Sequence, residues 1–279
     1  MRAAAAAALP DRSRRHLLHL TGRFAPWEHG YRLQAPVLGN APGAAPDFVG
    51  IGAQKCGTTW WYSLIVAHPG VFEAPGLHKE RHVLSRYGQV TFGADDVAAY
   101  HRWFPRPPGQ LCGEWTPDYL QLPWVPELLY RAAPEARILV LLRDPVERFA
   151  SGLAHARPGQ GDVVHGATAD AAVRGYYHHA LQGWLRYFPP EQLLLLQYER
   201  CVAEPQGQLA RTYAFLGLAP FLPDGIDQPV SATTDPVRLP DQVRRRMVTA
   251  YREDVEALFG QFQTLERHWW PNFGPEDVS

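Results

Sequence analysis

Only two lysines occur in this chain of 279 residues, Lys55 and Lys79; every other cationic side chain apart from histidine is arginine. Lys55 lies within Gly52-x-x-x-x-Gly57-Thr58-Thr59, after the apolar run Phe48 to Ala53 and before Trp60, Leu64, Ile65 and His68, which recur at helical spacing until Pro69-Gly70. Strand, tight loop and helix is the order this pattern predicts. Glycines let such a loop turn so that successive N–H groups point inward. The start of the helix near Thr58 adds partial positive charge where an anion would dock. The threonine hydroxyls add donors, so the chemistry on offer is anion binding.

The glycine spacing is that of a phosphate-binding P-loop, but Thr58 stands where the lysine of that loop should follow the second glycine. An ordinary strand-to-helix turn accounts for a bare Gly-x-x-x-x-Gly equally well. One of only two lysines placed inside the loop favours the anion site.

A second grip is legible further on. Ala136-Arg-Ile-Leu-Val-Leu-Leu142 reads as a buried strand and ends at Arg143-Asp144-Pro145. Pro145 suits the first turn of a helix and Asp144 its N-cap. Arg143 therefore stands at the carboxyl end of a strand, where open α/β sheets bind ligands, with Ser151 two turns into the helix. An arginine fork and a hydroxyl suit a terminal phosphate. The competing reading is an arginine that only pairs with Asp144 or Glu147.

Together these stretches resemble the sulfotransferase family, which uses 3′-phosphoadenosine-5′-phosphosulfate (PAPS), with a pattern similar to the carbohydrate, heparan-sulfate-type domains in a bacterial-like soluble form. The resemblance runs over about residues 47–220. It implies that Lys55, Cys56, Gly57, Thr58 and Thr59 hold the 5′-phosphosulfate and that Arg143 and Ser151 bind the 3′-phosphate. In the carbohydrate-modifying members a glutamate in an acidic-x-His segment is the catalytic base, and Glu80-Arg81-His82 matches it. A carboxylate in reach of the acceptor hydroxyl would take its proton. On local grounds alone Lys79-Glu80 is as readily a surface ion pair. His82 is the reserve base.

The family carries a lysine in a Lys-Thr/Ser-Pro-x-Tyr segment; here Trp115-Thr-Pro-Asp-Tyr119 puts Trp115 in its place. That weakens the case for a polyanionic glycan acceptor and leaves Lys55, with Lys79 or His78, as the nearby cations. His78, Lys79, His82, Glu114 and Trp115 are the expected acceptor-side residues. A late basic loop that closes over the cofactor in the glycan enzymes has no match in Ser231 to Arg238. Arg238 or the cluster Arg244-Arg245-Arg246 could substitute, although the cluster also fits the polar face of a helix from Asp241 to Phe259.

These readings lead to an α/β expectation: a P-loop-like three-layer fold with a mostly parallel central sheet flanked by helices. Residues 1–46, with an alanine run and a Pro/Gly/Ala-rich stretch, are expected to be an arm and linker, and residues 47–279 one domain. Further strands are expected at Leu111 to Glu114 and Leu193 to Gln197, and helices at Val125 to Ala133, Asp170 to Phe188 and Gln206 to Leu216. Lys55, Glu114, Arg143 and Tyr198 should share one rim.

A formal net charge of −1 gives no global field to favour nucleic acid. Three unevenly spaced cysteines suggest neither a disulfide framework nor a zinc site, and fit a reducing, cytoplasmic setting. No apolar stretch reaches the roughly 20 residues a membrane helix needs. The expected activity is sulfuryl transfer from PAPS to a hydroxyl or amine of a carbohydrate or small molecule, leaving adenosine 3′,5′-bisphosphate and requiring no metal. The alternatives are a P-loop nucleotide-dependent kinase and a non-catalytic nucleotide-binding module.

Overall fold

The computed structural model describes residues 43–73, 79–155, 161–227 and 238–274. Four strands form its sheet: β1 (Phe48–Gly52), β2 (Gly113–Trp115), β3 (Arg137–Leu142) and β4 (Leu193–Gln197). They stand in the order β2-β1-β3-β4, and every pair is parallel. Every residue of β1, β2 and β4 is buried, as is β3 beyond Arg137, which explains why these segments read as continuous rather than alternating runs.

Parallel neighbours require long crossovers. α1 (Thr58–Val66) and α2 (Ala94–His101) lie between β1 and β2, and α3 (Val125–Ala132) lies between β2 and β3. α4 (Pro145–His155), α5 (Gly161–Val173) and α6 (Tyr177–Leu185) lead to β4. After β4 come α7 (Tyr198–Ala203), α8 (Pro205–Leu216) and the long α9 (Asp241–Gln261). The four strands and these helices match the α/β expectation.

The strand order sets the position of the site. The chain passes from β1 to β2 on one side and from β3 to β4 on the other, so the crevice between β1 and β3 is where the winding reverses. Such reversals are where open parallel sheets take ligands, beyond the carboxyl ends of the strands. The loop at residues 53–57 and the turn at Arg143-Asp144 leave the two strands that flank this crevice.

One expected element divides. Asp170 to Phe188 is not a single helix, because α5 ends at Val173 and α6 begins at Tyr177. The break holds Gly175, where a Cβ would fall 2.5 Å from the ring of Tyr251 on α9. Val173, at the end of α5, is exposed, whereas Tyr177, Leu181, Trp184 and Phe188 are buried. The Tyr251 hydroxyl donates to the Ala172 carbonyl at 2.8 Å, closing the end of α5 against α9.

The expected arm over residues 1–46 falls almost wholly outside the described residues. Among the described residues, no helix is long and apolar enough to cross a membrane.

Candidate active site

The loop after β1 takes its form from two positive φ angles, 68° at Lys55 and 80° at Gly57. Left-handed backbone at both turns successive N–H groups to one side, the arrangement that makes anion-binding concavities. Gly57 precedes α1 with no side-chain cap, and the first turn of α1 holds no acidic residue. The first N–H groups of a helix have no partner within it, and they favour negative charge. A Cβ on Gly57 would lie 2.6 Å from the Tyr198 ring, so the loop rests directly on that aromatic face.

Lys55 does not stand alone. Its pKa is lowered by burial first, and then by the positive charges of Arg143 and Arg148. Cations that depress one another in this way are stabilised by an anion placed among them. Arg148 is wholly buried and donates to the Ala171 carbonyl.

Arg143 is held from several directions. Its guanidinium stands 5.1 Å from the centroid of the Tyr198 ring, within cation–π range. The Tyr177 hydroxyl donates to its carbonyl at 2.9 Å. Asp144 behaves as the expected N-cap, its Oδ1 accepting from Val146 N at 2.9 Å and Glu147 N at 3.4 Å. The Asp144 N–H in turn donates to Glu199 Oε1 at 2.9 Å. Glu199 Oε2 is sealed from solvent without a hydrogen bond, and burial pushes this carboxyl up to about 7. Ser151 lies on α4, eight residues beyond Arg143 and partly buried.

Opposite the loop, Lys79 Nζ donates to Thr58 Oγ1 at 3.0 Å and stands 2.9 Å from Glu80 Oε1. Burial lowers the Lys79 pKa, and Glu80 opposes that shift. Glu80 Oε2 lies 3.5 Å from His82 Nε2, and His82 Nδ1 lies 3.6 Å from Asp118 Oδ2. Arg174 Nη1 fixes Asp118 at 2.7 Å. A continuous polar line thus runs from the anion loop to α5's C-terminal turn, with the half-exposed Glu80 carboxylate in its middle.

Two expected acceptor residues are not on this line. Glu114 is wholly buried, with Oε1 accepting from the Tyr100 and Tyr119 hydroxyls at 2.9 and 3.2 Å and Oε2 from Thr116 Oγ1 at 2.7 Å. Hydroxyl donors consume its acceptor capacity, so the expectation that it shares the ligand rim is corrected. Trp115 is also wholly buried, its ring packed on Gly50 and its Nε1–H donating to the Gly52 carbonyl at 3.2 Å. It supports β1 from below and offers nothing to an acceptor.

Cys56 needs a narrower reading. Its side chain is buried, with Sγ 3.8 Å from the Tyr177 hydroxyl, and burial pushes the thiol up to about 12. Only its backbone N–H is available to the loop. Thr59 is exposed in the first turn of α1. His78 lies outside the described residues, as do all but the last residue of the stretch from Ser231 to Arg238.

Residue spacing alone left Tyr177 and Asp118 out of the site. Glu199 was also missed, yet it sits one residue beyond Tyr198 at the end of β4, where the strand-end logic applied to Arg143 would have found it.

Three comparisons bear on the site. The family model described as "Sulfotransferase domain" matches residues 45–233. Mouse heparan sulfate glucosamine 3-O-sulfotransferase 6 is 32% identical over 215 residues, which is 69% of this chain and 59% of that protein. The chain therefore spans less than two thirds of that curated relative's length. A sulfotransferase from Alicyclobacillus acidocaldarius is similar in structure, with a TM-score of 0.66, 25% identity, and coverage of 81% of this chain and 99% of that one. The sulfotransferase domain of a Synechococcus olefin synthase shares the fold, with a TM-score of 0.51 at 15% identity over 83% of this chain and 99% of that one.

Proposed function

The chain belongs to the sulfotransferase domain family, and from that premise we propose that it transfers a sulfuryl group from PAPS to a hydroxyl or amine of a carbohydrate or small molecule. The observation that carries the proposal is the meeting, across the β1/β3 crevice, of the Lys55 loop and Arg143 with Glu80 tethered beside them through Lys79 and Thr58.

Bound PAPS would supply the sulfuryl group and leave as adenosine 3′,5′-bisphosphate. Lys55, the loop N–H groups and the start of α1 hold the 5′ end and stabilise charge that builds on the bridging oxygen. Arg143 and Ser151 would hold the terminal 3′-phosphate, the arginine through its planar charged fork and the serine through a hydroxyl that donates to a phosphate oxygen. Glu80 accepts the acceptor's proton, and Lys79 fixes the carboxylate that does so. The carbohydrate class is favoured by the likeness to a relative named as a heparan sulfate sulfotransferase. The buried Trp115 leaves the acceptor side without a cation at that position.

The kinase reading gains no specific support: Thr58 follows Gly57, and Glu114 spends both oxygens on hydroxyls. The deciding experiment is turnover of PAPS against a panel of saccharides and small hydroxyl or amine compounds, followed by mass spectrometry. A gain of one sulfuryl group in an acceptor supports the proposal. Binding of adenosine 3′,5′-bisphosphate with no acceptor sulfated across the panel would favour the non-catalytic module, and tight binding of ATP with Mg²⁺ in its place would favour the kinase.

A further inference from the structure

Glu147 is out of place in a phosphate site. It lies in the first turn of α4, three residues after the Asp144 cap and four before Ser151, a spacing that sets its side chain on the same helix face as Ser151. A second carboxylate, Asp144, directly follows Arg143. Left bare, either would compete for the Arg143 guanidinium and repel an incoming phosphate.

Both are occupied by the C-terminal part of the chain. Arg244, on the first turn of α9, places Nη1 2.5 Å from Glu147 Oε1 and 2.9 Å from Asn272 Oδ1. Asn272 Nδ2 donates to the same Glu147 oxygen at 3.2 Å. The backbone N–H and the Nδ2 of Asn272 both donate to Asp144 Oδ2 at 3.0 Å. Arg244 and Asn272 lie outside residues 45–233, the stretch that the family model matches. Arg245 and Arg246 of the same basic cluster face solvent, so Arg244 alone of the three is turned onto α4.

We propose that Arg244 and Asn272 are positioning residues for the 3′-phosphate grip: they neutralise Glu147 and orient Asp144, so that Arg143 and Ser151 are free to hold a terminal phosphate. This rests on the reading of Arg143 and Ser151 as that grip. The lowered pKa of Glu147, which persists against burial because of Arg244 and Asn272, agrees with the geometry. The C-terminal helix thereby brings the positive charge of Arg244 onto α4, beside Glu147.

Calorimetric titration of the full chain with adenosine 3′,5′-bisphosphate and with adenosine 5′-monophosphate separates the possibilities. Wild type should prefer the bisphosphate. Arg244→Ala should shrink that preference about fivefold or more while leaving monophosphate affinity within about twofold, since fivefold corresponds to roughly 1 kcal/mol of lost charge compensation. The double variant Arg244→Ala with Glu147→Gln should regain most of the preference, because the carboxylate to be neutralised is gone. Asn272→Ala should act in the same direction as Arg244→Ala. A full preference retained in Arg244→Ala overturns the proposal, as does a loss that Glu147→Gln fails to restore. If wild type shows no preference, the 3′-phosphate reading falls first and the proposal with it. Melting curves on the same samples identify any variant that has merely unfolded, and Arg244→Lys then carries the test by keeping the charge.

Discussion

Lys79 Nζ donates a 3.0 Å hydrogen bond to Thr58 Oγ1, so the second lysine of the chain reaches into the loop that carries the first. Its other partner is Glu80, and its side chain is only 11% exposed, which sets this pair apart from a solvated surface ion pair. Lys79→Met should lower turnover roughly 10- to 100-fold, the equivalent of one hydrogen bond to a charged group. Melting temperature should stay within a few degrees. Steady-state kinetics and a thermal scan on the same variant decide it: a normal turnover would reduce the pair to surface decoration.

Lys55→Ala removes the loop's own cation from among Arg143 and Arg148. Turnover should fall by on the order of 10²-fold or more, as when a donor to developing charge is lost. Affinity for adenosine 3′,5′-bisphosphate should fall less. Near-normal turnover would show that the loop does not act on the transferred group.

Glu80→Gln keeps size and reach but cannot take a proton. Nucleotide affinity should stay within about twofold while turnover drops about 10²- to 10⁴-fold. His82→Ala belongs beside it, since His82 Nε2 is 3.5 Å from the same carboxylate. Normal turnover in Glu80→Gln with a dead His82→Ala would move the base two residues along the chain.

Gly57→Ala meets two obstacles, a φ of 80° and a Tyr198 ring atom 2.6 Å from the new Cβ. The cost should be on the order of 1–2 kcal/mol in stability, with most nucleotide binding lost because Tyr198 also lies under Arg143. Tyr198→Ala in the Gly57→Ala background should recover stability but not binding. Binding at wild-type strength in Gly57→Ala would show that the loop tolerates displacement.

Glu199 gives a pH prediction with a definite sign. Its carboxyl is raised from 4.5 to about 7 in the folded protein, with burial as the main cause. Between these values the native state keeps a proton that the unfolded chain has lost, so stability should fall as pH rises from about 4.5 through 7 and level off above. Glu199→Gln should remove that slope and stabilise the protein at pH 8 relative to wild type by on the order of 1–3 kcal/mol. Urea unfolding of both proteins at pH 5 and pH 8 measures it; parallel behaviour would mean that Glu199 ionises normally.

What the sequence disclosed was local. β1, the loop, α1, β3 and the Asp144 cap are each written within a dozen consecutive residues, as an apolar run, a glycine pair or an Asp-Pro dipeptide. What it hid depended on partners far along the chain. The break holds Gly175 pressed against Tyr251, and Glu114 is taken up by Tyr100 and Tyr119. Asn272 reaches Asp144 across 128 positions, so no spacing rule links them. Strand-end logic placed Arg143 and Tyr198 together but misplaced Glu114. β2 is an edge strand of three residues, with its carboxylate among packed hydroxyls rather than facing the crevice.

The strand order also has a consequence for how the protein is made. Of the four described strands β1 is synthesised first yet sits inside the sheet, and its partner across the crevice is nearly 90 residues later, as Gly50 pairs with Leu139. A nascent chain that has exposed only the Lys55 loop therefore holds an apolar strand before either of its sheet partners, β2 and β3, has been made. The loop's footing, Tyr198, emerges later still. Ribosome-bound fragments ending before about residue 200 should be dependent on chaperones and unable to retain nucleotide, since distant pairings form slowly and leave unpaired edges open meanwhile. The anion loop is thus translated before the strand and the aromatic ring on which its working shape depends.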